Sequence, residues 1–195
     1  TVLQWYEVES AGKRPEYALY ATTGGKVMVH RLKYSVANMM YAVEASELRM
    51  PPGLQRKYHG SAITPADNPT PSLLVGTEVG DFCVYQLADG LYRSSVSVCS
   101  GGVRSICSTR SFVFVGGGDG TVKKLRGDGL KWTLEAEIAL SGAVTSLSLS
   151  ATGAFILAGT AKGKLFRLEG LEARAEDFRV IGVVQSETSA LADVA

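Results

Sequence analysis

Phe114-Val115-Gly116-Gly117-Gly118-Asp119-Gly120-Thr121-Val122 is a short apolar run, a glycine-centred turn and the start of a second run. The chain repeats it. The same phrase stands at Leu74-Val75-Gly76-Thr77-Glu78-Val79-Gly80-Asp81-Phe82, at Leu157-Ala158-Gly159-Thr160-Ala161-Lys162-Gly163-Lys164-Leu165 and at Leu19-Tyr20-Ala21-Thr22-Thr23-Gly24-Gly25-Lys26-Val27. The last turn glycine falls at 25, 80, 120 and 163, in steps of 55, 40 and 43. Short strands recurring every 40–45 residues or so are the pattern of β-propeller blades.

Outward from the turn, Val103-Arg104-Ser105-Ile106-Cys107-Ser108 aligns with Val144-Thr145-Ser146-Leu147-Ser148-Leu149. Each follows a glycine-containing pair, Gly101-Gly102 and Gly142-Ala143. Their apolar spacing suits a strand between two neighbouring sheets. Phe155-Ile156-Leu157-Ala158 is almost wholly apolar, as a strand buried on both faces requires. Before each unit lies another β-rich piece, 92–98 in one and 132–140 in the other. In the latter, Leu134, Ala136, Ile138 and Leu140 alternate with Glu135, Glu137 and Ala139. Each repeat therefore holds four strands, and the expected fold is all-β, with about four four-stranded antiparallel blades. Gly116, Gly117, Ala158 and Gly159 suit a tapered interior where bulk does not fit.

The expected divisions are 1–48, a first partial blade with its connection; 49–90, a second blade with a proline-rich insertion; 91–129, a third; 130–170, a fourth; and 171–195, a link and the opening strand of a further blade. Segment 36–48 reads either as a helical turn or two or as a connection with a strand around 39–43. Segment 60–71 carries Pro65, Pro69 and Pro71 with Asp67 and Asn68 and reads as an exposed insertion. Four repeats fall short of most propeller rings, and the chain begins at Thr1 rather than Met. Both suggest a segment of a longer propeller, or one that associates with itself.

Of the 195 residues, 46% are apolar and 20% charged, the balance of a soluble globular protein. A net charge of +1 argues against a nucleic-acid binder held by phosphate contacts. The basic pairs Lys13-Arg14, Arg56-Lys57 and Lys123-Lys124 read as solvated edges. Cys83, Cys99 and Cys107 lack paired spacing, which fits a reducing compartment. No apolar run approaches the roughly 18 residues of a membrane span.

Motifs that carry chemistry are nearly absent. Gly159-Thr160-Ala161-Lys162-Gly163-Lys164-Leu165 lacks the spacing and the hydroxyl of a phosphate loop, and reads as a β-turn. Cys99-Ser100-Gly101-Gly102-Val103-Arg104 has one residue too few between Cys and Arg for a phosphatase loop, and no helix to lower the thiol pKa. His30 and His59 have no nucleophile or carboxylate at a telling spacing. Asp119 reads as a turn residue. No catalytic, metal-binding or cofactor-binding residue is assigned. Trp5, Tyr6, Tyr58, Tyr92 and Trp132 read first as core or blade-packing aromatics. The candidate partner contacts are Tyr58, Asp67, Asn68, Lys123 and Lys124.

The blade grammar resembles WD40 repeats. His30-Arg31 and Tyr85-Gln86 stand where a Trp-Asp pair would close a strand, and no Gly-His opens a blade. A closer resemblance is to the cilia- and flagella-associated protein 52 family. It rests on the order of Leu74-Val75-Gly76-Thr77-Glu78-Val79-Gly80-Asp81, Gly102-Val103-Arg104-Ser105-Ile106, Phe114-Val115-Gly116-Gly117-Gly118-Asp119-Gly120 and Ile138-Ala139-Leu140-Ser141-Gly142-Ala143-Val144-Thr145-Ser146-Leu147. Gly153 and Ala158-Gly159-Thr160 follow in turn, and the likeness runs from about 21 to 184. It implies a middle segment of two tandem propellers. It also implies a non-enzymatic scaffold of the ciliary or flagellar axoneme in the cytoplasm, with tubulin and microtubule inner proteins as partners and no nucleic acid or membrane. A general cytoplasmic adaptor of a signalling or ubiquitin-transfer assembly is the alternative. An enzyme with a site in the central channel is a third reading.

Overall fold

A computed structural model describes residues 3–8, 16–23, 25–53, 56–64, 71–127 and 131–185. Every copy of the repeated phrase is a hairpin in it. In three copies the turn closes on Gly80, Gly120 or Gly163, each at positive φ (+100°, +85° and +68°). Their N–H groups donate to the carbonyls of Thr77 (3.3 Å), Gly117 (3.1 Å) and Thr160 (3.0 Å). A side chain would strain the backbone there, which is why glycine keeps the beat.

The hairpins build four sheets, each of four antiparallel strands in chain order. The first blade is β1 (Leu3–Val8), β2 (Glu16–Thr23), β3 (Lys26–Ser35) and β4 (Met40–Leu48). The second is β5 (Tyr58–Ile63), β6 (Ser72–Thr77), β7 (Asp81–Gln86) and β8 (Tyr92–Ser97). The third is β9 (Val103–Ser108), β10 (Val113–Gly117), β11 (Thr121–Gly127) and β12 (Trp132–Ala139). The fourth is β13 (Val144–Leu149), β14 (Ile156–Thr160), β15 (Lys164–Glu169) and β16 (Arg179–Gln185). A 3₁₀ turn, Ala175–Asp177, precedes β16. No helix of the described residues is long and apolar enough to cross a membrane.

Blades stack through their innermost strands, β1 beside β5, β5 beside β9 and β9 beside β13. The core is accordingly split into three clusters, one per junction. Ala18, Tyr20, Val27 and Val29 of the first blade meet Leu73, Val75, Cys83 and Tyr85 of the second. Leu74, Phe82 and Val84 of the second meet Val103, Ile106, Val113 and Val115 of the third. Phe112, Phe114 and Val122 of the third meet Val144, Leu147, Ile156, Ala158 and Phe166 of the fourth. Along β6, Leu73 and Val75 face one way and Leu74 the other, so the period-2 alternation feeds two interfaces at once. Each such side chain, fully buried, contributes about 1.5–3 kcal/mol.

The sequence glycines at the end of the second strand are sockets. A Cβ on Gly76 would lie 2.3 Å from Val103 Cγ1, and one on Gly116 would lie 2.5 Å from Val144 Cγ1. In both cases the first residue of the next blade enters the gap. The first copy differs by one residue. Its loop is shorter, pairing Thr23 with Lys26 directly, so Thr22 pairs with Val27 as Gly76 pairs with Phe82. Thr22, not Ala21, therefore takes the socket position, because a one-residue slip moves a strand's side chains to the other face. Polar pegs join the inner strands as well. Gln4 Nε2 donates to the Ser61 carbonyl (3.2 Å), Ser108 Oγ to the Ile63 carbonyl (3.0 Å) and Leu147 N–H to Ser105 Oγ (2.9 Å).

Strand pairing divides the chain one strand later than the divisions expected at 91, 130 and 171. β8, β12 and β16 each pair back onto the preceding strand, β7, β11 and β15, rather than opening the next sheet. Local hairpins decide it. Gly90, at φ +70°, donates to the Gln86 carbonyl (2.8 Å) and folds β8 back on β7. Segment 36–48 is a turn followed by β4. The expected insertion at 60–71 is in part an inner strand, since residues 60–63 belong to β5 and Gly60, Ser61 and Ala62 are buried. A Cβ on Gly60 would come within 2.9 Å of the Arg104 carbonyl oxygen, so the small residues there serve close approach to the third blade. Pro65 and Pro69, with Asp67 and Asn68, lie outside the described residues.

Gly116→Val fills an occupied socket and should lower the free energy of unfolding by about 1–3 kcal/mol, measured by urea denaturation. Gly182→Ala, with nothing within 4 Å of its new Cβ, should leave the midpoint almost unchanged.

Candidate interaction surfaces

A blade inside the stack spends both broad faces on its neighbours. What remains for partners is the turns, the outer edges and the faces at the two ends.

The residues nominated from sequence divide accordingly. Tyr58 packs against the junction of the first two blades, and its hydroxyl lies on Met50 Sδ at 3.6 Å. It borders a recess of about 170 Å³ with Val27, Glu47, Leu48 and Arg49. Burial raises the Tyr58 hydroxyl pKa, so it stays protonated. Lys123 is half-buried. Its ammonium donates to the Val98 carbonyl and lies 3.7 Å from Glu137 Oε2 and 4.0 Å from Asp119 Oδ2.

Lys124 corrects the expectation of a surface contact, for it is 0% exposed. Adjacent residues on a strand point to opposite faces, and Lys124 points into the junction with the fourth blade. Its Nζ donates to the carbonyls of Ala173 (2.7 Å) and Gly170 (3.2 Å). The ammonium sits 4.0 Å from the centre of the Phe112 ring and 5.8 Å from that of Phe178. Burial pushes its pKa down, against the pull of Glu172 and Glu135. Asp67 and Asn68 lie outside the described residues.

The polar groups that could hint at chemistry are engaged in structure. Cys99 Sγ lies 3.4 Å from the Gly102 carbonyl, and burial, helped by Asp119, raises the thiol to about 11. A thiol so raised is not a nucleophile at neutral pH. Burial lifts Cys83 and Cys107 to about 12. Asp119 receives hydrogen bonds from Thr121 Oγ1 (2.7 Å), Ser100 N–H (3.0 Å) and Thr121 N–H (3.1 Å). Burial opposes its ionisation, but these bonds and Lys123 outweigh it and hold the carboxyl below its ordinary value. His59 is exposed on an inner strand where the register shifts, and desolvation together with Arg104 lowers its pKa. The turn at 160–163 is a β-turn, as the sequence indicates. Among the described residues no three His, Cys, Asp or Glu side chains gather as metal ligands.

The two end faces are another matter. On the outward face of the first blade, register places Trp5, Leu19, His30 and Ala45 in one row, Glu7, Tyr17, Leu32 and Val43 in the next, and Tyr34 beside Tyr41. Trp5 is 54% and Val43 62% exposed. Trp5 stacks on Tyr17 at 5.3 Å, and Tyr34 meets Tyr41 edge-on at 5.4 Å. On the outward face of the fourth blade, Leu157, Arg167 and Gly182 form one row and Gly159, Leu165 and Val184 another. Val184 is 67% exposed, and the Arg167 guanidinium lies 4.3 Å from the centre of the Phe155 ring. Exposed apolar side chains grouped as Trp5 and Val43 are suit association, whereas on the fourth blade Leu157 and Leu165 are half-buried and Gly159 is buried. Sequence reasoning singled out Trp5 but not Val43, Leu165, Arg167 or Val184. Their alternation is the same as in buried blades, so nothing local distinguishes an end face from an internal one.

No protein-family model matches this sequence, and no curated protein matches it. Solved structures do. The Chaetomium thermophilum protein Sqt1, bound to the N-terminus of the ribosomal protein L10, matches with a TM-score of 0.68 at 19% identity, over 92% of this chain and 48% of that one. The β-propeller domain of Myceliophteria thermophila Cps50 (Swd1) matches with a TM-score of 0.66 at 14% identity, over 91% of this chain and 58% of that one. The chain thus spans about half the length of these structures.

Lys124→Ala, which empties a buried site and strips two carbonyls of their donor, should cost about 2–4 kcal/mol in urea denaturation, and Lys124→Met, which keeps the packing, clearly less. The lysine's pKa is lower folded than unfolded, so the unfolded chain binds the proton more tightly. Relative to Lys124→Met, wild-type stability should rise with pH through the window that ends at the unfolded value of about 10.4 and fall as pH drops through the folded value. A flat difference would contradict the placement of the ammonium. With the sheet pairing and the two structural matches together, the described residues are four consecutive four-stranded β-propeller blades.

Proposed function

We propose that this chain is a non-enzymatic interaction scaffold, a stack of blades that presents apolar faces and turns to other proteins. One observation carries the reading. Polar side chains that could do chemistry are engaged in structure, Lys124 inside a junction and Asp119 in an exposed turn, while apolar side chains such as Trp5, Val43 and Val184 stand exposed on the outer blades. The Sqt1 structure, with its bound ribosomal-protein segment, illustrates a related fold serving as a protein platform.

The finer reading is a scaffold of the ciliary or flagellar axoneme, contacting tubulin and microtubule inner proteins. Its support is the ordered set of strings from about 21 to 184 that resembles the cilia- and flagella-associated protein 52 family. Tagged protein expressed in ciliated cells should remain with the axoneme after detergent extraction, and cross-linking there should recover tubulin or proteins of the doublet lumen. Full release with the soluble fraction would favour the general cytoplasmic adaptor. Turnover of any substrate by purified protein, lost on substitution of an exposed inner-strand residue such as His59, would overturn the non-enzymatic reading.

A further inference from the structure

One junction is built differently from the other two. Between the outermost strand of one blade and the innermost strand of the next run residues 98–102 and 140–143, but residues 49–57 between the first blade and the second. The two short connections close down on the turn glycine. The Gly80 carbonyl accepts from the N–H groups of Val98 (2.9 Å) and Cys99 (3.2 Å), and the Gly120 carbonyl from that of Leu140 (2.7 Å). The long connection leaves, beside Gly25, the recess of about 170 Å³ that Tyr58 borders. A cavity of about 150 Å³ admits a benzene ring, so this one has room for a short side chain. The first two blades and the connection between them supply its lining, so it does not depend on what adjoins the outer faces.

The chemistry of the recess is one-sided. Val27 and Leu48, both buried, form an apolar wall. The Tyr58 hydroxyl donates to Met50 Sδ at 3.6 Å, and a thioether is a weak acceptor. In the same cluster the hydroxyl of Tyr85, a residue 0% exposed, is buried without a hydrogen-bond partner. The two hydroxyls are near enough to shift each other's titration, yet no hydrogen bond of ordinary geometry joins them. On the rim, Lys26 pairs with Glu47 at 3.2 Å and Arg49 is exposed. The charges of Arg56 and Glu47 both bear on the Tyr58 hydroxyl. Lys26, Arg49 and Arg56 thus face a single carboxylate, that of Glu47, and the recess carries an excess of positive charge and of donors.

We propose that this recess binds an acidic side chain, Glu or Asp, carried on an exposed segment of a partner protein. The carboxylate accepts from the Tyr58 hydroxyl and pairs with Arg49 and Lys26, while the methylene groups of the side chain lie on Val27 and Leu48. Tyr58 Oη is then open to accept from Tyr85, which gives the orphaned hydroxyl a partner. Hydrogen bonds to an ionised acceptor are about twice as strong as neutral ones, so a carboxylate is preferred to the amide of Gln. The inference rests on the scaffold reading and adds to it the chemistry by which a partner is recognised.

The probe is tetraglutamate, acetylated and amidated at its ends, titrated into the isotope-labelled 195-residue protein and followed by NMR. A saturable shift of the amides of Gly25, Arg49, Met50 and Tyr58 is expected, and none with tetraglutamine of the same form. Tyr58→Phe removes the hydroxyl and leaves the ring in place. It should weaken binding about tenfold, the loss of one hydrogen bond to a charged group. Arg49→Ala, at an exposed side chain outside the core, should weaken it too and stands as the test if the tyrosine variant does not fold. The absence of a saturable shift with tetraglutamate overturns the proposal. So do equal binding of the two peptides, an affinity unchanged in both variants, and shifts of equal size at Lys57, Arg110 and Lys162, which would mark charge attraction without a site. Displacement of tetraglutamate by inorganic phosphate at lower concentration would assign the recess to a phosphate group and overturn it equally. Any of these results leaves the scaffold reading standing, because that reading falls on turnover of a substrate and not on the loss of one contact.

Discussion

Everything in this molecule depends on sheets that bury both broad faces against other sheets. Among the described residues no backbone ladder joins one blade to the next. Cohesion between blades comes from side-chain packing, aided by a few pegs such as Gln4 to the Ser61 carbonyl and Ser108 to the Ile63 carbonyl. Close approach is therefore essential, and it is achieved where the second strand ends in glycine and the next blade begins with valine, at Gly76 with Val103 and Gly116 with Val144. A four-stranded sheet alone would leave both apolar faces in water, so a blade gains its stability only in the stack.

The same constraint explains why the chain offers so little chemistry. Side chains facing a neighbour are mostly apolar, and several polar ones are held by backbone carbonyls, ring faces or turn N–H groups, although Ser61 Oγ, Ser146 Oγ and Trp132 Nε1 are buried without a hydrogen-bond partner. Lys124 is the clearest case, a cation kept in an apolar junction by two carbonyls and an aromatic surface. Asp119 ties the loop before the third blade to the turn within it. Functional capacity then passes to surfaces the stack does not consume, which here are end faces of ordinary blade composition.

Much of the fold was legible in the repeat itself. The turn glycines, the two-sided apolar runs and the alternation at 132–140 identify blades without reference to any structure. Two features were hidden for a definite reason. The outermost strand lies beside its own sheet but, in sequence, equally beside the next, and only the hairpin at Gly90 and its counterparts decides. In the first copy a loop shortened by one residue shifts the strand's phase, which an alignment on glycines cannot show. The site was less legible. Lys123 and Lys124 look like one basic pair, yet strand geometry sends them to different junctions. Asp67 and Asn68 fall outside the described residues, and the residues of the end faces look like core because in every other blade they are core.

The most direct test is a double-mutant cycle across the second junction. Gly76→Ala places its Cβ 2.3 Å from Val103 Cγ1, and Val103→Ala removes that atom. If glycine sockets hold the blades together, Gly76→Ala should be much less costly in the Val103→Ala background, with a coupling energy of roughly 0.5–3 kcal/mol. Simple additivity of the two substitutions in urea denaturation would mean that these blades do not meet as described.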